Sequence, residues 1–287
     1  MAADLTYAPA RSRAFRLKQI VAMTVLGGIA IALLIPLWWI VISSMRTPAE
    51  IYSAKQSLIP SSFSFENFRQ LLSQTLFLRS LLNSTIVAVT VTAFGTVFAF
   101  AAGYAFAKMT FVGKNFIFLL LLMSMTIPGA VTLLPTFIFM SRVGLLDSLL
   151  AIILPNLALP FAMLWMRQYI QSSVPNSVLD AARLDGSGTF RTLWSVVGPI
   201  VRPGLAGVAI WIFLSQWNSL FVPLVFLSSN EKYTYPVFLA ALQGNPLAQT
   251  THLVMAASVL STLPIVLLYV AFQRYFATSV AMSIEQA

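Results

Sequence analysis

Two groups of residues could do chemistry or mechanical work. The first is a compact stretch, Asp180-Ala181-Ala182-Arg183-Leu184-Asp185-Gly186, followed by Pro199. It joins charge, small residues and turn signals at helical spacing, a pattern suited to docking. The second is a scatter of polar side chains inside otherwise apolar runs: Asn83, Tyr104, Ser124, Thr126, Asn156, Gln216, Trp217 and Asn218. Such a set can line a path for a sugar-like solute, because hydroxyls need donors and acceptors while the apolar sugar face stacks on aromatic rings. The same residue types also bond membrane helices to one another, which is the stronger reading for any single one. Catalysis has less support. The chain has no Cys and one His, His252, so thiolate chemistry and Cys or His metal sites lack their ligands. His252 has no carboxylate close in sequence and reads as a solvated or interfacial imidazole. No GxxxxGK[ST] loop is present to cradle nucleotide phosphates.

The elements that hold these residues must be membrane helices. Of 287 residues, 59% are hydrophobic and 9% charged, against roughly 25% charged in soluble domains. A soluble globule could not hide that apolar surface. Crossing a bilayer takes roughly 20 residues of helix, because unpaired backbone groups are costly in lipid. Five charge-free stretches approach or exceed that length: Gln19 to Met45, Ser80 to Ala107, Asn115 to Ser141, Ser148 to Met166 and Pro203 to Asn230. A sixth crossing is expected from Leu253 to Phe272, after the turn signal Gln243-Gly244-Asn245-Pro246. The reading is an all-α integral membrane protein of about six transmembrane helices. Residues 1–18 form a tail and 19–287 a single membrane domain, with an outer loop over 46–79 and a cytoplasmic loop over 168–203. The first apolar run is too long for a signal peptide and reads as an anchor.

Charge sets the orientation. A net charge of +9 would suggest a nucleic-acid partner in a soluble protein. Here Arg11, Arg13, Arg16, Lys18, Lys108, Lys114, Arg167, Arg183, Arg191, Arg202 and Arg274 flank apolar runs on one side, so the positive-inside rule accounts for them and places both termini in the cytoplasm. No charge is forced to the bilayer centre, which counts against proton or ion coupling.

The loop between the fourth and fifth crossings is the most informative segment. Pro175 stops what precedes it, Ser177 with Asp180 has capping-box spacing, and Gly186 suits the left-handed residue that ends a helix. Ala181 and Ala182 let another surface come close. A second helix is expected from Thr189, with Phe190, Leu193, Trp194 and Val197 on one side, broken by Gly198-Pro199.

Asp180-Ala181-Ala182, Asp185-Gly186, Trp194, Val196, Pro199 and Pro203 resemble the "EAA" coupling loop of ABC importer permeases of the carbohydrate-uptake, maltose type. Asp180 stands for the usual Glu, and Gly198 for the usual Leu before the proline. Further pieces run in the same order: Ile59-Pro60 with Ser64 to Phe68, Asn83-Ser84, Trp217-Asn218, Pro223-Leu224, Lys232-Tyr233-Thr234 and Phe272 to Phe276. The resemblance implies a permease subunit of a bacterial or archaeal inner-membrane importer for a sugar or oligosaccharide. Its implied partners are a homologous second permease, an ABC ATPase dimer that binds ATP and Mg, and an extracytoplasmic solute-binding protein that would meet the outer loop. It also implies that Asp180, Ala181, Ala182, Arg183, Asp185, Gly186 and Pro199 pass ATPase closure to the membrane helices. The alternative is an ATPase-independent secondary transporter or channel for a small polar solute.

Overall fold

The computed structural model describes residues 13–53, 59–244 and 250–285, with side chains described between 19 and 273. Along the chain the helices are α1 (Arg13–Ser44), α2 (Pro48–Ile51), α3 (Glu66–Leu72), α4 (Thr75–Lys108), α5 (Lys114–Ser124), α6 (Gly129–Arg142) and α7 (Leu149–Ile153). A 3-10 turn, Leu154–Asn156, leads to α8 (Pro160–Ser173) and α9 (Asn176–Leu184). After these come α10 (Thr189–Arg191), a π-helical turn (Thr192–Val197), α11 (Gly198–Ile200), α12 (Arg202–Trp217) and α13 (Phe221–Phe226), then α14 (Tyr235–Gln243) and α15 (Thr251–Glu285). Residues 1–12 of the expected tail, 54–58 of the expected outer loop and 245–246 of the expected turn lie outside the described residues; residues 13–18 already belong to α1.

Four spans are long and apolar enough to cross a bilayer unaided: Gln19–Ser44, Thr75–Lys108, Leu149–Ser173 and Thr251–Gln273. Two further pairs are bent, α5 with α6 by 102° and Thr189–Ile200 with α12 by 86°, which makes up to six. Several expected boundaries change. The third crossing is not one rod: it breaks between Ser124 and Gly129, where Pro128 has no N–H to continue the ladder. The fifth does not run to Asn230 as a helix. α12 holds 16 residues, about 24 Å, and ends at Trp217 before the short α13. The fourth extends to Ser173, and α4 begins at Thr75, inside the expected outer loop.

α4 is the spine. Its Val87, Val91, Ala99, Phe100 and Tyr104 share one buried cluster with Ile152, Ala162, Met166 and Ile170 of the fourth span, Val208 and Ile212 of α12, and Leu179, Leu193 and Val197 of the cytoplasmic loop. Lipid tails are as apolar as Leu, so close packing must hold such helices together rather than hydrophobic transfer. Glycine permits the approach. A Cβ at Gly103 would lie 2.8 Å from Met166 Cβ and 2.9 Å from Arg167 N. α1, by contrast, exposes Ile20, Leu26 and Leu33, and its apolar surroundings must come from lipid or a partner.

At the end of the bundle away from α9, side chains replace lost helical bonds. Asn67 Nδ2 donates to the carbonyls of Ser44 (2.8 Å) and Arg46 (2.7 Å), which terminates α1 and fixes α3. The Arg46 guanidinium stacks over Trp39 at 4.8 Å. Asn83 Nδ2 donates to the carbonyls of Glu231 and Tyr233, both at 3.0 Å, and the Tyr235 N–H donates to Ser84 Oγ at 2.7 Å.

Candidate functional site

The first site is α9 and the turn that follows it. Its C-terminus is a complete Schellman motif: Gly186 has φ +73°, its N–H bonds to Arg183 O at 3.0 Å, and the Ser187 N–H bonds to Ala182 O at 2.9 Å. A left-handed residue at Gly186 is therefore borne out. The capping box is not. Pro175, at φ −64° and ψ 147°, starts the helix two residues early, which leaves Ser177 inside the first turn, and no side chain caps it. Lys108 of α4 holds this end without capping it, because an ammonium can only donate. Its Nζ donates to Val174 O at 2.6 Å and to Asn176 Oδ1 at 2.9 Å, which straps the start of α9 to the end of a membrane helix. Asp180 meets Arg183 at 3.1 Å, with both side chains mostly exposed, a pair that contributes little to stability.

The two alanines divide. Ala182 and Leu179 are buried against the membrane helices, whereas Ala181 and Asp180 face outward with Leu184, which is 89% exposed. Beyond Gly186, Leu193 and Val197 are buried, Phe190 is 77% exposed, and Trp194 meets the Phe100 ring edge-on at 5.4 Å. Phe190 thus leaves the expected apolar side. The cause is the π-helical turn: the Gly198 N–H reaches back to Leu193 O, a five-residue bond that shifts the register of what precedes it. Pro199, which has no N–H to offer and would crowd the carbonyl four residues earlier, favours that widening. Gly198 and Pro199 do not break the helix. It runs to Ile200, and the bend falls at Val201.

Tyr104, read as a solute-path residue, is at the end of α4 beside α9 instead. With Lys108, Asn176, Asp180, Arg183 and Thr192 it lines a cleft of about 500 Å³ between α4 and α9. The remaining polar candidates separate. Asn83 is held by the carbonyls of Glu231 and Tyr233 at the outer end. Trp217 donates from Nε1 to Ser261 O at 3.1 Å and stacks between Phe213 and Tyr235. Ser124, Thr126 and Asn218 donate to carbonyls of their own segments. Only Gln216 and Asn156 are brought together, Nε2 to Oδ1 at 3.4 Å.

A family model described as "binding-protein-dependent transport system inner membrane component" matches residues 95–282. The chain belongs to this family. It is 34% identical to the arabinooligosaccharides transport system permease protein AraQ of Halalkalibacterium halodurans, over 86% of this chain and 89% of that one. It is 30% identical to the diacetylchitobiose uptake system permease protein NgcG of Streptomyces coelicolor, over 88% and 84%. A chain from the crystal structure of a bacterial ABC transporter involved in the import of the acidic polysaccharide alginate superposes with a TM-score of 0.83 at 26% identity, covering 94% of this chain and 100% of that one. The resemblance to ABC importer permeases is borne out, as is a multi-pass inner-membrane component, and the ATPase-independent alternative is disfavoured.

One anchor of this permease went unread in the sequence. Asp147, at φ 54°, accepts from the N–H groups of Ser228 and Ser229, both at 3.0 Å, from the Ser229 hydroxyl, and from Lys232 Nζ at 3.1 Å. It ties the turn before α7 to the segment after α13. The only local signal was an acidic residue at a turn, a type that tolerates positive φ. The Ser229 hydroxyl, helped by the two backbone N–H groups and Lys232, holds the carboxyl far below its ordinary 3.8. A depressed folded value means that the stabilisation is fully present above about pH 4 and fades as pH falls toward the folded value. Asp147→Ala is expected to cost about 2 kcal/mol near neutral pH, read as a lower melting temperature in detergent. The gap between variant and parent should close on acidification below about pH 4.

Proposed function

We propose that this permease is one half of the translocation pathway of an ATP-driven carbohydrate importer, and that α9 is the lever through which an ATPase subunit moves it. A homologous permease would supply the other half, and a dimeric ABC ATPase would bind ATP and Mg. A solute-binding protein would deliver the sugar to the outer face, where the segment over 46–79, with α2 and α3, is the candidate contact. Both termini would lie in the cytoplasm. The carbohydrate class rests on the arabinooligosaccharide and diacetylchitobiose systems of the relatives. The observation that carries the lever is continuity: Leu179 of α9 and Leu193 and Val197 beyond it belong to the same buried cluster as α4, α8 and α12. A push on α9 is then transmitted, whereas a loop hinged on exposed backbone would absorb it.

Reconstitution with the partner chains in vesicles tests this reading through sugar uptake and ATP hydrolysis. Gly186 alone occupies positive φ in the turn after α9, so Gly186→Val should strain the cap by about 1–2 kcal/mol. Uptake should fall while the complex still assembles. Uptake that proceeds without any ATPase would overturn the proposal.

A further inference from the structure

Three polar atoms in the membrane core make no hydrogen bond within the chain although they are shielded from solvent: the hydroxyls of Thr92 and Thr96 on α4, and Oε1 of Gln216 on α12. They sit where three elements meet. A Cβ on Gly95 would lie 3.4 Å from Ile212 Cδ1 of α12, and 3.8 Å from both Leu157 O and Leu159 Cδ1 of the irregular stretch between α7 and α8. α4 and α12 run in opposite directions. Thr92, three residues before Gly95, and Gln216, four residues after Ile212, are therefore displaced toward the same outer side, by about 4.5 and 6 Å. Gln216 Nε2 reaches Asn156 Oδ1 at 3.4 Å, and Asn156 Nδ2 donates to Ile152 O at 2.8 Å. The cluster thus closes on the break in the fourth span.

A hydroxyl or amide left without a partner in an apolar setting is costly, and irregular backbone at membrane depth persists where protein covers it or where it lines an aqueous cavity. Three such groups on two helices, gathered at the one broken stretch of a third, fit a surface that is covered in one state and used in another. Residues 88–98, 152–160 and 208–219 include no Asp, Glu, Lys, Arg or His. The contribution of this chain is therefore neutral.

We propose that Thr92, Thr96 and Gln216, with Asn156, form a contact site for the hydroxyl groups of a neutral sugar ring, uncovered when the outer ends of α12 and the broken fourth span tilt away from α4 while the close contact at Gly103 holds. The inference rests on the importer reading and adds to it the solute contact made by this subunit. Gln216 exchanges Asn156 for a sugar hydroxyl, and the two threonines, each both donor and acceptor, take adjacent hydroxyls.

The chain has no Cys, so a single introduced thiol on it reports cleanly. In the reconstituted complex, Thr92→Cys and Gln216→Cys should resist a membrane-impermeant methanethiosulfonate at rest and be labelled when the complex is trapped with ATP and vanadate, read by mass on this chain. Labelling in neither state, or equally in both, would overturn the proposal. A second readout separates contact from packing. Thr92→Val and Thr96→Val remove a partnerless hydroxyl at nearly constant shape, so thermal stability should hold or rise. The apparent KM should rise roughly tenfold for whichever of arabinotriose, diacetylchitobiose and trehalose the unsubstituted complex imports. Lowered stability with unchanged KM would show a packing role only. Failure of the importer reading would look different: the unsubstituted complex would show no ATP-dependent uptake at all.

Discussion

Gly103→Leu is expected to abolish accumulation of folded permease. At Gly103 the backbones of α4 and α8 nearly touch: a Cβ would lie 2.8 Å from Met166 Cβ, 2.9 Å from Arg167 N and 3.0 Å from Met166 C. Two of those atoms are backbone, so no rotamer change relieves the clash. To reach ordinary contact near 3.5 Å the helices must separate by roughly 0.7 Å for Ala alone, and by more for Leu. That separation loosens Tyr104, Met166 and Ile170, all in the central cluster. Gly103→Ala should cost about 1–3 kcal/mol and Leu more than the fold can bear. Gly129, with nothing within 4 Å of a Cβ at the start of α6, is the control, and Gly129→Ala should be neutral. Size-exclusion profile and melting temperature in detergent read the series; a monodisperse Gly103→Leu protein with the parental melting temperature would refute the close-packing account.

The same contact shows what could and could not be read in the sequence. Charge-free runs near 20 residues mark crossings because lipid allows few alternatives, so the number and order of spans were legible. Where a span breaks was not. Pro128, Pro135, Pro155 and Pro160 all stand in the third and fourth spans, yet only the neighbours of each decide whether the chain bends there. Pro128 sits at a 102° bend, whereas Pro135 lies inside α6. Gly186 was legible because its role is local. The N-terminus of α9 differs from the expected one because Pro175, with φ preset near the helical value, starts the helix before Ser177, and its strap, Lys108, lies 66 residues before Val174, beyond the reach of a local rule. The 3.6-residue period likewise cannot foresee a five-residue bond from Gly198 to Leu193, so Phe190 was assigned to the wrong side.

The scattered motif pieces also acquire a cause. Asn67 closes the end of α1, and Asn83-Ser84 receives Tyr233 and Tyr235 from the stretch around Lys232-Tyr233-Thr234. Each is a short polar word in the sequence, and each bonds to a distant main chain at the outer rim. The outer rim is thus tied by buried side-chain bonds and by Asp147, while α9 hangs on one strap and one packed face. The end of the fold that carries α9 is where a partner can act.

That asymmetry leads to the second large effect, loss of coupling on truncating Leu184 and Phe190. Leu184 is 89% exposed and Phe190 77% exposed, on opposite sides of the turn Asp185-Gly186-Ser187-Gly188. Leu184 lies between the spans and Phe190 stands in the first turn of the short Thr189–Ile200 limb beside it, so neither sits midway along a long lipid-facing helix as the exposed side chains of α1 do. Large apolar side chains held this far out on a capped, strapped element are what an interface uses as anchors. Their neighbours favour this over a chance exposure: Ala181 and Asp180 are exposed too, and Leu179 and Ala182 already supply the inward packing. Truncating an interface anchor costs about 2 kcal/mol or more, roughly 30-fold in affinity. Leu184→Ala or Phe190→Ala should therefore weaken capture of the ATPase by about that factor, and Leu184→Asp with Phe190→Asp should end ATP-driven uptake. Neither residue contributes to the buried clusters, so the melting temperature of the isolated permease should not change. Full uptake by the double Asp variant would mean that the ATPase, if it binds, grips some other surface.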